Sequence, residues 1–222
     1  QAGRITAAFL AEISADFAPL LSADEIMQCV GEKLAQHLNL SRCDFSVVEE
    51  EANRITTVYD WRRDAAAPSV LGEHQISTFL TPAARQLYVA GKLAVINDVR
   101  NHPLISAPAE MMAALHIGAV VDAPYLENGR WKFLISACRA AATDWRADEI
   151  ELIRELAARI YIRLERAHAE EVLRQSEEKY RTLFNSIDAG FCIIELLYDA
   201  AGQPVDWLYL ETNPAFKRQG GL

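Results

Sequence analysis

A helical pattern that continues for about 40 residues is the feature that most constrains the fold of this chain. From Asp148 to about residue 186, apolar side chains recur at spacings of three and four, and the next glycine or proline is Gly190. Such spacing places one apolar stripe along a helix, which a partner helix can cover. In a chain of 222 residues this predicts a connector or dimer stalk. Two ordinary helices with a kink near Ser176 are the alternative.

The apolar stripe changes register partway along the predicted helix. It then slips to Val172 and Leu173 before Tyr180, as if a stutter were inserted. We expect a homodimer formed through the N-terminal helix and residues 148–186. Before the slip the stripe consists of Ile150, Ile153, Ala157, Ile160, Leu164 and Ala167.

Composition and charge limit the classes of partner. The chain is 51% hydrophobic, as globular proteins are, and its net charge of −9 repels a phosphate backbone, so we expect no nucleic-acid partner. No apolar run reaches the roughly 20 residues that span a bilayer, and no secretory signal is present, so we expect a cytoplasmic protein without direct membrane contact. The start at Gln1 and the end at Leu222, just after a predicted helix start, suggest an excised fragment.

Before the long helix, helical and alternating patterns succeed each other. Residues from about 3 to 18 form an amphipathic helix pattern, and Ser22 with Glu25 forms a capping box ahead of a second helix. After Ser41 the period becomes two, which predicts paired strands around a turn at residues 51–53. Short helices are predicted after Thr81 and at about residues 108–116, and Asn128-Gly129 predicts a hairpin. We therefore expect an α/β (α+β) domain with a mostly antiparallel sheet.

Residues 5–167 resemble a GAF domain. The resemblance rests on the two leading helices, the loop from Val95 to Pro103, and Leu115-His116-Ile117-Gly118 leading into the Asn128-Gly129 hairpin. It implies a GAF-like antiparallel sheet with flanking helices on one face that pack into a dimer bundle. A pocket for a small ligand is expected on the other face.

The segment from Leu173 to Phe184, through Gly190-Phe191, resembles the start of a PAS domain, and Asn213-Pro214-Ala215-Phe216 is similar to the first PAS helix. The resemblances imply a GAF-like sensory domain (1–167), a helical signalling linker (168–186) and a truncated PAS-like hairpin (187–222). This arrangement is similar to the input region of a two-component sensor histidine kinase. The alternatives are the input domain of a diguanylate cyclase and a ligand-free structural dimerisation module.

We expect this chain itself to be non-catalytic. None of its five histidines is followed by an acidic residue, as a kinase phosphoacceptor usually is, and no glycine-rich nucleotide loop is present. A cysteine-based GAF reductase is a further alternative, in which Cys43 and Cys138 face each other across the sheet. Inert packing of both thiols is the competing interpretation.

The identity of a ligand stays open. Bilin-binding GAF domains carry a Cys-His pair where this chain has Ala107-Pro108, so covalent bilin is not expected. No cyclic-nucleotide signature can be assembled around Asn97. No cysteine and histidine cluster has zinc-ligand spacing, so we expect no metal. The residues predicted to line a pocket combine aromatic, basic and acidic side chains: Tyr59, Trp61, Arg100, His102, His116 and Asp122.

Overall fold

The computed structural model describes residues 2–220, and their side chains from residue 7 onwards. The described chain forms two compact units, with the boundary between His168 and Ala169 inside the long helix. Gln1 and Leu222 lie outside the described residues. No described helix is both long enough and apolar enough to cross a bilayer.

The first unit contains most of the secondary structure. Its helices are α1 (Ala2–Phe17), α2 (Ala23–His37), α3 (Pro82–Val89), α4 (Ala109–Ala114) and the first part of α5 (Ala147–Ser186). Its strands are β1 (Arg42–Glu49), β2 (Arg54–Arg62), β3 (Gly72–Gln75), β4 (Ala94–Ile96), β5 (Ala119–Glu127) and β6 (Arg130–Arg139).

The local sequence signals explain where these elements begin and turn. The Ser22 hydroxyl accepts from the Glu25 amide and the Glu25 carboxylate accepts from the Ser22 amide, so the predicted capping box begins α2. Asn128 and Gly129 both have positive φ, 51° and 76°, as a type I′ hairpin between β5 and β6 requires. These predictions are confirmed. Strand β3 carries no apolar alternation, and its pairing with β2 is not predicted by the sequence pattern.

Within the described residues, the first unit has one antiparallel six-stranded sheet in the order β3-β2-β1-β6-β5-β4. Both faces of the sheet are covered, and alternate residues of each strand point to different cores. One face of the sheet packs against α1, α2 and α5 and is called the terminal face, because these helices lie at the two ends of the first unit's sequence. Helices α3 and α4 cover the opposite face. The predicted GAF-like fold with an antiparallel sheet and flanking helices is confirmed.

The long helix α5 is one helix of 40 residues, so the alternative of two helices with a kink is wrong. The predicted stripe needs a correction, however. Ile153, Ala157 and Ile160 are buried in the core of their own domain, where the terminal face of the sheet covers them. Apolar spacing identifies the buried face of a helix but does not tell whether a sheet or a second chain buries it.

The second unit contains the rest of α5, the hairpin of β7 (Cys192–Tyr198) and β8 (Pro204–Thr212), and α6 (Pro214–Gly220). Asn213 is fully buried and organises this unit. Its side-chain amide donates to the carbonyls of Phe184, Ile187 and Ala189, while its oxygen accepts from the amides of Phe191 and Phe216. The bond to Phe216 caps α6. The hairpin residues themselves are largely exposed.

Candidate functional site

A cavity of about 90 Å³ lies on the sheet face opposite α1, α2 and α5. Its floor is formed by β1, β2, β5 and β6, and its walls by β3, the 3-10 turn Ile76–Thr78, α4 and the loops beside them. Most of the lining is aliphatic or aromatic. The polar lining side chains are Arg42, Asp44, Ser46, Thr57, His74, Asp122 and Ser136.

Two carboxyl groups lie in one row across the floor of the cavity. Ser136 on β6 is directly opposite Asp44 on β1 and directly opposite Asp122 on β5, so the three side chains point to the same face. Asp44 is 9% exposed and Asp122 5% exposed. A buried carboxyl normally requires hydrogen bonds or a cation to be stable. This acidic row, Asp44-Ser136-Asp122, is the main polar feature of the cavity.

Burial changes the ionisation of the acidic row. Desolvation, assisted by the negative charges of Asp122 and Asp60, raises the pKa of Asp44 to about 8, although Arg42 and Ser136 act in the opposite direction. Burial also raises the pKa of Asp122, and the hydroxyls of Tyr88 and Ser136 partly offset this effect. At neutral pH, Asp44 therefore holds a proton, so the row carries less charge than two carboxylates would.

One oxygen of Asp122 is tied to α3 and the other is free. The Tyr88 hydroxyl donates to Oδ2 at 2.6 Å, and the Tyr88 ring packs edge-on against Trp131 with centroids 5.2 Å apart. Among the described residues, Oδ1 of Asp122 has no hydrogen-bond partner although it is buried. A buried unsatisfied carboxylate oxygen is costly in a folded protein and calls for an explanation.

Arg42 fixes the loop that closes the cavity. Its guanidinium donates from Nε to the Leu115 carbonyl at 3.3 Å, from Nη1 to Asp60 at 2.8 Å and from Nη2 to the Pro68 carbonyl at 2.6 Å. Asp60 in turn accepts from the Val70 amide at 3.0 Å. The ion pair of Arg42 and Asp60 is almost completely buried, with side-chain exposures of 1% and 0%. Arg42 therefore ties residues 68–70 to the sheet.

Of the six residues predicted to line a pocket, Asp122 lies in the cavity. Tyr59 and Trp61 point to the terminal face instead and pack beside its core. The Tyr59 ring stacks on Phe45 with centroids 5.1 Å apart, and it lies against Gly31 of α2. Simple alternation would place Thr57 and Tyr59 on the same face of β2. A bulge leaves Val58 between them unpaired, so Thr57 faces the cavity and Tyr59 the other face.

The other three predicted residues lie in or beside loops. Arg100 is exposed and pairs with Asp98 at 2.7 Å. The ring of His102 accepts from the Leu104 amide through Nδ1 at 3.3 Å. His116 follows α4 with a positive φ of 57°, and its ring lies 3.9 Å from Asp64. The structure thus brings none of these three side chains into the cavity lined by Asp122.

The cysteine pair predicted for a reductase is separated by the sheet. Cys43 is in the core of the terminal face, whereas Cys138 lines the cavity on the opposite face. The two strands are neighbours, but Cys43 is opposite Ala137 and Cys138 is opposite Arg42. Burial raises the pKa of both thiols well above its usual range, which favours the unreactive thiol form. The expectation that they face each other is wrong.

Sequence reasoning missed Arg42, Asp44 and Ser136. In β1 the polar Arg42 and Asp44 alternate with Cys43 and Phe45, a pattern that also fits a strand with one solvent-facing side. Only the central position of β1 between β2 and β6 turns this polar side into a cavity floor. The described residues contain no group of three or more acidic, histidine or cysteine side chains placed to hold a metal ion.

Comparisons with known proteins agree with this architecture. The GAF domain family model matches residues 22–164. No curated protein sequence matches the chain. The GAF domain of a phosphoenolpyruvate-protein phosphotransferase (ptsP) from Coxiella burnetii is 12% identical, with a TM-score of 0.64 over 77% of this chain and 98% of that chain.

Two further solved structures have the same fold. The phycocyanobilin-bound GAF domain from a cyanobacterial phytochrome is 18% identical, with a TM-score of 0.61 over 74% of this chain and 96% of that chain. The free methionine-R-sulfoxide reductase from Neisseria meningitidis, in complex with its substrate, is 14% identical, with a TM-score of 0.60 over 77% of this chain and 94% of that chain. The family match covers more than half of the sequence, and the chain belongs to the GAF domain family.

Proposed function

We propose that this GAF domain is a sensory module that binds a small molecule in the cavity above the acidic row. The observation that carries the proposal is Oδ1 of Asp122, a buried acceptor without a protein partner at the floor of a largely apolar cavity. A site lined by apolar groups with a few convergent polar ones is the usual form of a small-molecule site. A bound ligand with a donor would satisfy the carboxylate.

The position of the cavity supports a signalling role. The cavity and α5 lie on opposite faces of the same sheet, so strands β1, β5 and β6 contact both. A ligand that moves the floor of the cavity would change the packing of Ile153 and Ile160 on the other face. Switching of this kind requires two discrete packings of α5, and the ligand would favour one of them.

We also infer that the parent is a cytoplasmic sensor of the histidine kinase type, with α5 as the signalling linker and a PAS-like segment after it. The motifs from Leu173 to Phe184 and from Asn213 to Phe216 support this reading. Asn213 supports it further, because its bonds tie the residues before β7 to the start of α6.

Ligand screening of a cavity-filled variant tests the sensory proposal. Val120 lines the cavity and is 4% exposed, so Val120→Phe should occupy part of the space. Thermal denaturation of the chain with a library of small metabolites should reveal compounds that raise Tm. At a ligand concentration of 100 times Kd, binding should stabilise the folded chain by about 2.7 kcal/mol. The same compounds should leave the Tm of Val120→Phe unchanged.

A replacement of similar size change away from the cavity serves as the control. Val172 is 52% exposed on α5, and Val172→Phe should respond to each compound as the unmodified chain does. A library that stabilises no form, or that stabilises Val120→Phe equally, would contradict a ligand site in the cavity. The ligand-free dimerisation module would then be the better account.

A further inference from the structure

One buried acceptor in the lining of the cavity, Oδ1 of Asp122, has no partner among the described residues. Each guanidinium nitrogen of Arg42 already donates, to Leu115, Asp60 or Pro68. The Tyr88 hydroxyl donates to Asp122. A ligand entering this cavity therefore finds the free Oδ1 of Asp122 and no guanidinium nitrogen without a partner.

Three further polar side chains of the lining have partners within the protein. The hydroxyls of Ser46 and Thr57 bond each other at 3.1 Å, and Nε2 of His74 lies 2.7 Å from the Val70 carbonyl, to which it must donate. A ligand that brings only acceptors would leave Oδ1 of Asp122 unsatisfied, whereas a ligand with a donor would satisfy it.

The charges around the cavity point to the same class. The positive charge of Arg42 is matched by Asp60, which lies 2.8 Å away. Asp44 and Asp122 have no cation of their own within this arrangement, and burial raises the pKa of both carboxyls because their negative charge is poorly compensated. A ligand with a positive charge would supply what the site lacks, whereas an anion would be repelled.

The size and lining of the cavity limit the rest of the ligand. The volume of about 90 Å³ is below the roughly 150 Å³ of an engineered apolar cavity that admits benzene. Ile55, Val120 and Leu134 surround the acidic row with aliphatic surface. A short hydrocarbon group of a few carbons fits both the volume and the lining.

We propose that the cavity binds a small protonated primary amine, whose ammonium group donates to Oδ1 of Asp122 and to Asp44 and whose short hydrocarbon group packs on the aliphatic wall. This inference rests on the proposed function, because it names the ligand class of the same cavity. An ammonium offers three donors, which matches an acidic row with two carboxyl groups. Binding draws the proton from Asp44, because the cation favours its carboxylate form, and that proton passes to solvent.

Three compounds of one shape but different charge test the ligand class. Isobutylamine, isobutanol and isobutyrate should be titrated into the unmodified chain at pH 7 by calorimetry, together with primary amines of two to six carbons. We expect the amines to bind and isobutyrate not to bind. Asp122→Asn should weaken amine binding at least about tenfold, since it replaces the carboxyl group that would accept from the ammonium by a neutral amide.

The control is Glu110→Gln, which removes an exposed carboxylate on α4 outside the cavity lining and should leave amine affinity unchanged. Equal or tighter binding of isobutanol or isobutyrate would overturn the amine assignment, and so would full affinity in Asp122→Asn. If no amine binds but another compound of the metabolite library does, the amine class is wrong and the sensory function stands. If nothing binds, both fall.

Proton release gives a second readout, which is measured first on the unmodified chain. The ionisable groups around the acidic row are Arg42 on β1, Asp60 on β2, His74 on β3, Tyr88 on α3 and Cys138 on β6. The heat of amine binding should differ between buffers of different ionisation enthalpy, because the Asp44 proton is released at pH 7. Asp44→Asn should abolish that difference. Persistence of the release in Asp44→Asn would overturn the role of Asp44.

Discussion

Asp44 makes stability depend on pH in the direction opposite to that of a salt-bridged carboxylate. Its pKa of about 8 in the folded protein lies above that of an unfolded aspartate, about 3.9. Folding therefore keeps a proton that unfolding releases, and the stabilisation is complete below about pH 4. As pH rises from there to about 8, the free energy of unfolding falls by up to about 1.4 kcal/mol per unit.

Asp44→Asn should remove this dependence, since the amide cannot ionise. We expect the variant to match the unmodified chain near pH 5 more closely than near pH 8, where it should be more stable by a few kcal/mol. Urea unfolding at several pH values measures the slope. Glu110→Gln, which alters an exposed carboxylate, should keep the slope of the unmodified chain. Parallel curves for Asp44→Asn and the unmodified chain would show that Asp44 titrates normally.

Close packing of α2 on β2 depends on Gly31. A Cβ added there would lie 2.1 Å from Cε1 of the Tyr59 ring, far inside contact distance. Helix propensity alone predicts that Gly31→Ala stabilises α2 by about 1 kcal/mol. Overpacking typically costs about 1–3 kcal/mol, so we expect the net effect to be destabilising.

A double substitution separates the two contributions. In a Tyr59→Ala background the ring is gone, and Gly31→Ala should then be neutral or stabilising by urea unfolding. A stabilising effect of Gly31→Ala alone would mean that the Tyr59 ring moves aside at little cost. An equal loss in both backgrounds would also contradict the packing argument.

The elements that were predicted correctly are those with local signals. The capping box at Ser22, the Asn128-Gly129 turn and the unbroken pattern after Asp148 each involve residues close in sequence. The cavity was only partly predictable. Asp122 stands out because it lies within the apolar run of β5, but Asp44 and Ser136 resemble solvent-facing positions until β1 is known to pair with β6. Strand order is a long-range property that local pattern does not determine.

The same reasoning explains why Tyr59 and Trp61 lie outside the cavity. Tyr59 and Trp61 share a strand face, as alternation requires, but alternation does not say which face of the sheet that is. The bulge at Val58 of β2, opposite Phe45 and Ser46, decides it, because it reverses the faces to which the residues on either side of it point. No local sequence signal marks this bulge.

At the level of the whole molecule, the second unit offers α5 a surface for self-association. Its exposed stripe repeats at spacings of four and three residues, as a coiled-coil seam does. Leu173 and Leu183 are 61% and 58% exposed, whereas Phe184 is 5% exposed and packs against Phe191. The predicted partner surface is therefore this stripe in place of the buried one near Ile153. It consists of Ala169, Leu173, Ser176, Tyr180 and Leu183.

We expect the chain to be a dimer in solution and Leu173→Glu with Leu183→Glu to make it monomeric, because like charges would face each other across the seam. Light scattering after size-exclusion chromatography measures the mass against 24.8 kDa per chain. Thr182→Glu places the same charge on an exposed residue of α5 outside the stripe and should remain dimeric. A monomeric unmodified chain would contradict dimerisation. A dimer that survives the double substitution would place the interface elsewhere, with the N-terminal helix α1 as the remaining predicted surface.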